Sequence, residues 1–185
     1  MQVVYTDIHR ETKYEMELEF EEGAIYLGDI FDVTGCKKRR VKKTLKKRQK
    51  LKELAGENYI DGNHEGHIET IDDRVIKRKT LYRHGDEEFW GRKKAIKFRS
   101  KKRGKGFIGR YMSKTFDVFR MLKPFKMSQE AKERAADSCV RYNCHTLCLG
   151  HNHPHSIKDF TFYSRKYDRT FRFIILPRGR HELDL

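Results

Sequence analysis

Five times along this chain a short apolar run ends in a small cluster of Gly, Asp, Asn or His. The runs at 3–6, 24–27, 58–60, 80–83 and 146–149 have the length and residue types of strands. They lead into DIH at 7–9, GDIFD at 28–32, GNHE at 62–65, HGD at 84–86 and GHNH at 150–153. Apolar spacing predicts further strands over 74–76, 159–164 and 170–176, and helices over 38–55, about 109–122 and 128–143. Ser128 is placed to cap the last helix, which carries Ala131, Ala135, Cys139 and Tyr142 at helical spacing. The stretch Tyr14, Met16, Leu18, Phe20 alternates with Glu like a strand, but its place between two strands suits a helix, and both readings stand. Strands with helices between them predict an α/β fold, in which ligands bind beyond the carboxyl ends of the strands. All five polar clusters would then face one edge.

One DxH or HxH by itself is usually a solvated turn. Here five of the nine histidines fall in the clusters, and every cluster follows a predicted strand. Gly28, Gly62 and Gly150 would let the backbone turn sharply and bring side chains together. The donors are oxygen and imidazole, which suit manganese, iron, zinc or magnesium better than copper or an iron–sulfur cluster. Seven donor groups exceed the needs of one tetrahedral ion. They suit two ions sharing a carboxylate, the arrangement that supports in-line displacement at phosphorus. The four cysteines (Cys36, Cys139, Cys144, Cys148) form no CxxC pair, and CHTLCLGHNH has no common structural zinc spacing. Cys148 reads as a small core residue.

The charge is unevenly placed. The net charge is +15, and residues 37–52 hold 11 basic and no acidic residues, as do residues 89–116. The rest of the chain has 20 basic against 27 acidic residues. Basic blocks of this kind attract nucleic acid, phosphorylated substrates or an anionic membrane surface. In 37–52, Val41, Leu45, Leu51 and Leu54 could instead form a buried stripe under solvated lysines. In 89–116, Phe89, Trp90, Phe98, Phe107 and Tyr111 stand among the basic residues, a mixture suited to stacking and phosphate contact. The longest apolar run is four residues, so no transmembrane segment is expected, and with no secretory segment after Met1 the chain reads as cytoplasmic, with peripheral membrane contact compatible.

The ordered series DIH, GDIFD, GNHE, HGD, GHNH resembles the calcineurin-like metallophosphoesterase family, over most of the chain. GDIFD and HGDEE, with a basic, aromatic-rich stretch before GHNH, look most like the branch that contains UDP-2,3-diacylglucosamine pyrophosphatase. The resemblance implies a single domain over 1–185, a two-sheet β-sandwich flanked by helices, with a basic lid-like insertion at about 87–127. It implies two divalent ions, manganese foremost, at the strand ends. Asp7, His9 and His153 would hold one ion and Asn63, His84 and His151 the other, with Asp29 bridging. His64 would be the general acid, oriented by Asp32, and a hydroxide shared by the ions would attack phosphorus. Asp86 and Glu65 are candidates to support the ligand imidazoles. At His64 the pyrophosphatase branch commonly has Arg, so there the chain follows the wider family pattern. Phosphoprotein phosphatases carry Arg-Gly where Val33 and Thr34 stand here, so a phosphate-gripping arginine has to come from elsewhere, and Arg92, Arg99 and Arg103 are candidates.

Three functions fit this pattern. One is hydrolysis of a phosphorylated small-molecule or nucleotide-linked substrate. Another is a nuclease-like phosphodiesterase that holds DNA or RNA on the two basic segments. The third is a non-catalytic scaffold of the same fold, which eroded ligands would mark, whereas all seven ligand positions and His64 are present.

Overall fold

The computed structural model describes residues 1–8, 20–33, 37–65, 70–100, 125–152 and 154–185. They form a mixed α/β structure with two mixed sheets and four α-helices among the described residues. The strands are β1 (Gln2–Thr6), β2 (Ile25–Leu27), β3 (Tyr59–Ile60), β4 (Val75–Lys77), β5 (Thr80–Arg83), β6 (Thr146–Leu149), β7 (Lys158–Ser164), β8 (Arg169–Ile175) and β9 (Gly179–Leu183). The helices are α1 (Val41–Ala55), α2 (Asp86–Trp90), α3 (Arg92–Arg99) and α4 (Gln129–Arg141).

One sheet has the order β3-β2-β1-β9, with β1, β2 and β3 parallel and β9 antiparallel to β1. The other has the order β4-β5-β6-β8-β7, with β5, β6 and β8 parallel and the two outer strands antiparallel. Both sheets are parallel at their centres, so the carboxyl ends of β1, β2 and β3 emerge together, as do those of β5 and β6.

Three apolar clusters divide the molecule into layers. The middle one joins Val4, Ile25, Leu27 and Ile60 of the first sheet to Tyr82, Cys148 and Ile174 of the second. A second packs Leu81, Leu147, Phe171 and Phe173 against Ala131, Ala135, Ala136 and Cys139 of α4. The third sets Tyr26, Tyr59 and Phe31 against Leu51, with Val41 and Leu45 at its edge. Adjacent residues in a strand face opposite layers, as Tyr26 and Leu27 do, because side chains alternate across the pleat. Full burial of each such large apolar side chain contributes about 1.5–3 kcal/mol.

Helix α4 is capped as its sequence predicts, Ser128 Oγ accepting the Ala131 N–H at 3.2 Å. In α1, Thr44, Arg48 and Leu51 are buried, while Leu54 is 53% exposed and leaves the expected stripe. It lies about a quarter of a turn from the buried line at 100° per residue. Arg48 occupies the centre of that line and pairs with Asp61.

The structure adds three elements. Strand β9 pairs with β1 from Gln2↔Leu183 to Thr6↔Gly179. Helices α2 and α3 fill the start of the basic stretch, separated by Gly91 at φ +80°, which splits the run into pieces too short to show a helical period. The helix expected at about 109–122 lies outside the described residues, as do most of the alternating stretch at 14–19 and residues 101–124 of the expected lid.

Candidate metal centre

Five strand ends supply the site. Asp7 follows β1, Gly28 and Asp29 follow β2, His84 follows β5, and Gly150 and His151 follow β6. Asn63 and His64 come from the turn after β3. Asp7, Asp29 and His151 have φ of 53°, 52° and 65°, unusual for residues with a Cβ. Hydrogen bonds hold this conformation, and one of them crosses between the two sheets.

These bonds are short. Asp7 Oδ2 accepts the main-chain N–H of His151 at 2.7 Å and the Thr6 hydroxyl at 2.6 Å. Asp29 Oδ1 accepts the main-chain N–H of His64 at 2.7 Å. A Cβ on Gly62 would stand 2.1 Å from Asp29 Oδ1, and one on Gly150 would stand 2.0 Å from Thr6 Oγ1 and 2.6 Å from Asp7 Oδ2. The glycines therefore allow the carboxylates to lie directly against backbone.

His84 is the hub. Its Nδ1 lies 3.1 Å from the Leu27 carbonyl, an acceptor, so this nitrogen carries a hydrogen. Its Nε2 faces Asn63 Oδ1 at 2.9 Å, His151 Nδ1 at 3.2 Å and Asp29 Oδ2 at 3.3 Å. Four potential donors to one cation thus meet at a point. In the neutral tautomer the Nε2 lone pair would confront two oxygens and a second nitrogen, which is repulsive unless a cation or a proton lies among them. Burial opposes charge on His84, but Asp29, with Asp7 and Asp86, outweighs it and lifts the pKa to about 10. Burial and the neighbouring His84 push His151 well below the ordinary histidine range. A proton on His84 occupies the place that a divalent ion would take. Ligand atoms about 2.0–2.1 Å from one ion stand roughly 3 Å apart, matching these separations. His151 Nε2 and Asn63 Nδ2 are buried and have no hydrogen-bond partner among the described residues. The donor set fits a divalent cation held by Asp29, Asn63, His84 and His151.

The counterpart pair, Asp7 and Asp29, is present on the same edge, but the other two expected ligands, His9 and His153, lie outside the described residues. His64 and Asp32 are brought together, His64 Nδ1 lying 2.9 Å from Asp32 Oδ1. Their side chains keep 20% and 17% exposure, which puts this pair at the mouth, above the buried ligands.

The supports differ from those the sequence suggested. The His84 ring is oriented by the Leu27 carbonyl. Glu65 accepts the N–H groups of Ile30 and Phe31 and the Tyr59 hydroxyl, and so holds the turn after Asp29. Burial, then the Asp61 and Asp29 carboxylates, raise the Glu65 pKa to about 8. Asp86 is closed by Arg99, through Nε at 2.8 Å and Nη2 at 3.0 Å. Burial would raise the Asp86 pKa, but Arg99 holds it below the usual carboxylate range.

Of the candidate phosphate-binding arginines, Arg99 is buried and also donates to the Asp61 carbonyl and Thr70. Arg92 is exposed and grips Asp72 through two bonds of 2.8 and 2.9 Å, with Glu87 at 3.1 Å. Both arginines are thus tied to protein carboxylates. Arg103 lies outside the described residues.

One feature went unread in the sequence. Trp90 sits edge-on to His151 with ring centroids 4.2 Å apart, Phe98 lies 5.2 Å from Trp90, and His64 lies 5.6 Å from Phe98. An aromatic row therefore joins the buried ligand to the mouth pair. The signal was the interleaving of Phe89, Trp90 and Phe98 with basic residues, which pointed to stacking on a polyanion.

No protein-family model matches this chain, and no curated protein matches it.

Proposed function

We propose that the chain is a metal-dependent phosphoesterase of the calcineurin-like kind, with a dinuclear centre where the two sheets meet. The observation that carries this reading is the convergence of Asn63 Oδ1, His151 Nδ1 and Asp29 Oδ2 on His84 Nε2 at 2.9–3.3 Å. Asp29, Asn63, His84 and His151 would hold one ion. Asp7, His9 and His153 would hold the other, with Asp29 shared. Manganese is the first choice, and iron, zinc or magnesium suit the same donors. When bound, the ions supply an activated water and neutralise charge on the phosphate oxygens. The layering of helix, sheet, sheet and helix is compatible with the arrangement that the sequence resemblance implies.

The chain's own residues do the remaining work. His64 delivers a proton to the leaving oxygen, and Asp32 orients the ring and favours its charged form. Trp90 and Phe98 keep water from one flank and give an organic leaving group an apolar surface. The substrate is a phosphorylated small molecule or a nucleotide-linked ester. No helix among the described residues is long and apolar enough to cross a membrane. Cys139, Cys144 and Cys148 are free thiols, which suits a reducing cytoplasmic compartment. The test is reconstitution of metal-stripped protein with manganese, zinc or magnesium, followed by hydrolysis of aryl phosphomonoesters, aryl phosphodiesters and a nucleotide pyrophosphate. Metal-dependent turnover of any one supports the reading, and none with all three metals defeats it.

A polynucleotide substrate is the second reading, and the outer face of α1 favours it. Lys42, Lys43, Lys46, Lys47 and Lys50 are exposed there, with no acidic residue before Glu53.

A further inference from the structure

We infer that Arg178 grips the phosphate group of the substrate, as an anion-binding residue set beside Asp7. The inference rests on the phosphoesterase reading for its ligand.

The placement follows from two ladders. Leu176 donates its N–H to the Leu149 carbonyl at 2.8 Å, one residue before Gly150 and His151. Gly179 pairs with Thr6, one residue before Asp7. The short turn carrying Arg178 therefore crosses from the second sheet to the first, between two of the strand ends that bear ligands. Arg178 Nε donates to the Asp7 main-chain carbonyl at 2.7 Å. The guanidinium is thus anchored on the very residue whose carboxylate takes the His151 N–H.

The partners of the neighbouring arginines make Arg178 stand out. Arg48 is closed on Asp61, Arg83 on Glu87 and Glu88, Arg92 on Asp72, and Arg99 on Asp86. Two residues along the chain, Arg180 is closed on Glu21 and Glu182. Arg178 meets only a neutral carbonyl, through Nε, and its Nη1 and Nη2 have no partner among the described residues. No carboxylate among the described residues pairs with it, and two N–H-bearing nitrogens remain for an incoming anion. A planar fork of this kind matches two oxygens of one phosphate group. The Asp7 carbonyl fixes the plane of the fork in advance, which reduces the ordering cost of binding.

The experiment is a calorimetric titration of inorganic phosphate into the protein, wild type against Arg178→Ala and Arg178→Lys, each with and without manganese. Metal content after gel filtration and a thermal melt are measured on every sample. Loss of phosphate affinity by about tenfold or more in Arg178→Ala, with partial recovery in Arg178→Lys and unchanged metal content, supports the assignment. Equal affinity in wild type and Arg178→Ala overturns it, as does absence of phosphate binding to the wild type. Loss of manganese in Arg178→Ala also overturns it, because Arg178 would then act by positioning Asp7. If the wild type takes up no metal, the phosphoesterase reading fails. The metal-free titration then still decides the role of Arg178.

Discussion

His64 donates its main-chain N–H to Asp29 Oδ1 at 2.7 Å, while its ring turns outward to Asp32. In the proposed phosphoesterase, one residue would therefore fix the shared carboxylate with its backbone and present the proton donor with its side chain. The turn after β3 would then couple the metal site to acid catalysis through this bond.

Replacing Asp29 by Asn keeps the size and the His64 bond but removes a negative charge from the centre. Manganese affinity, measured by calorimetry, is expected to fall by more than the roughly 10–100-fold typical of an outer support, and turnover of an aryl phosphodiester with it.

His64→Ala is expected to slow an alkyl phosphodiester by about 10²–10⁴-fold and a nitrophenyl ester far less, because only the alkoxide needs a proton as it leaves. Asp32→Asn should show the same pattern more weakly. Equal losses on both substrates would argue against general acid catalysis.

Gly62→Ala places a carbon 2.1 Å from Asp29 Oδ1 and 2.3 Å from the Asp29 nitrogen. Overpacking of this kind costs about 1–3 kcal/mol, and in a chain of this size each kcal/mol lowers Tm by about 2–4 °C. The melt is expected to drop by several degrees, and manganese to lose its stabilising effect.

The metal-free protein is expected to lose stability as the pH rises. His84 has its pKa raised from 6.5 to about 10, so its contribution is complete below pH 6.5 and disappears as the pH passes through about 10. Glu65 is raised from 4.5 to about 8, so its ionisation penalises the fold over that interval, with the same sign. His151 is shifted down and acts oppositely, below its ordinary value of 6.5. Thermal melts in EDTA should therefore fall from pH 7 to pH 10. Added manganese should stabilise more as the pH rises, because it displaces the His84 proton.

Charge reversal at Lys46, Lys47 and Lys50 tests the polynucleotide reading. If α1 holds nucleic acid, affinity for a single-stranded oligonucleotide falls and its salt dependence flattens, while hydrolysis of a small aryl phosphodiester is unchanged. An unaltered salt slope would remove α1 from substrate binding.

Much of this arrangement was legible in the residue order. The runs before Asp7, Asp29, Asn63, His84 and His151 read as strands because apolar residues at those lengths have few other uses, and each became one. Ser128 announced the start of α4 by its side-chain chemistry. Convergence of the polar clusters on one edge followed from strand direction alone. What the chain order cannot carry is which partner each charge finds. Arg99 and Arg178 are the same residue type, and neither one's partner lies close to it in sequence. Yet Arg99 is buried against Asp86 across 13 residues, while Arg178 reaches Asp7 across 171. Local patterning specifies elements because it acts through near neighbours along the chain. Pairing of guanidinium with carboxylate or carbonyl depends on which strand ends the two sheets bring side by side, and that is decided only when their shared core closes.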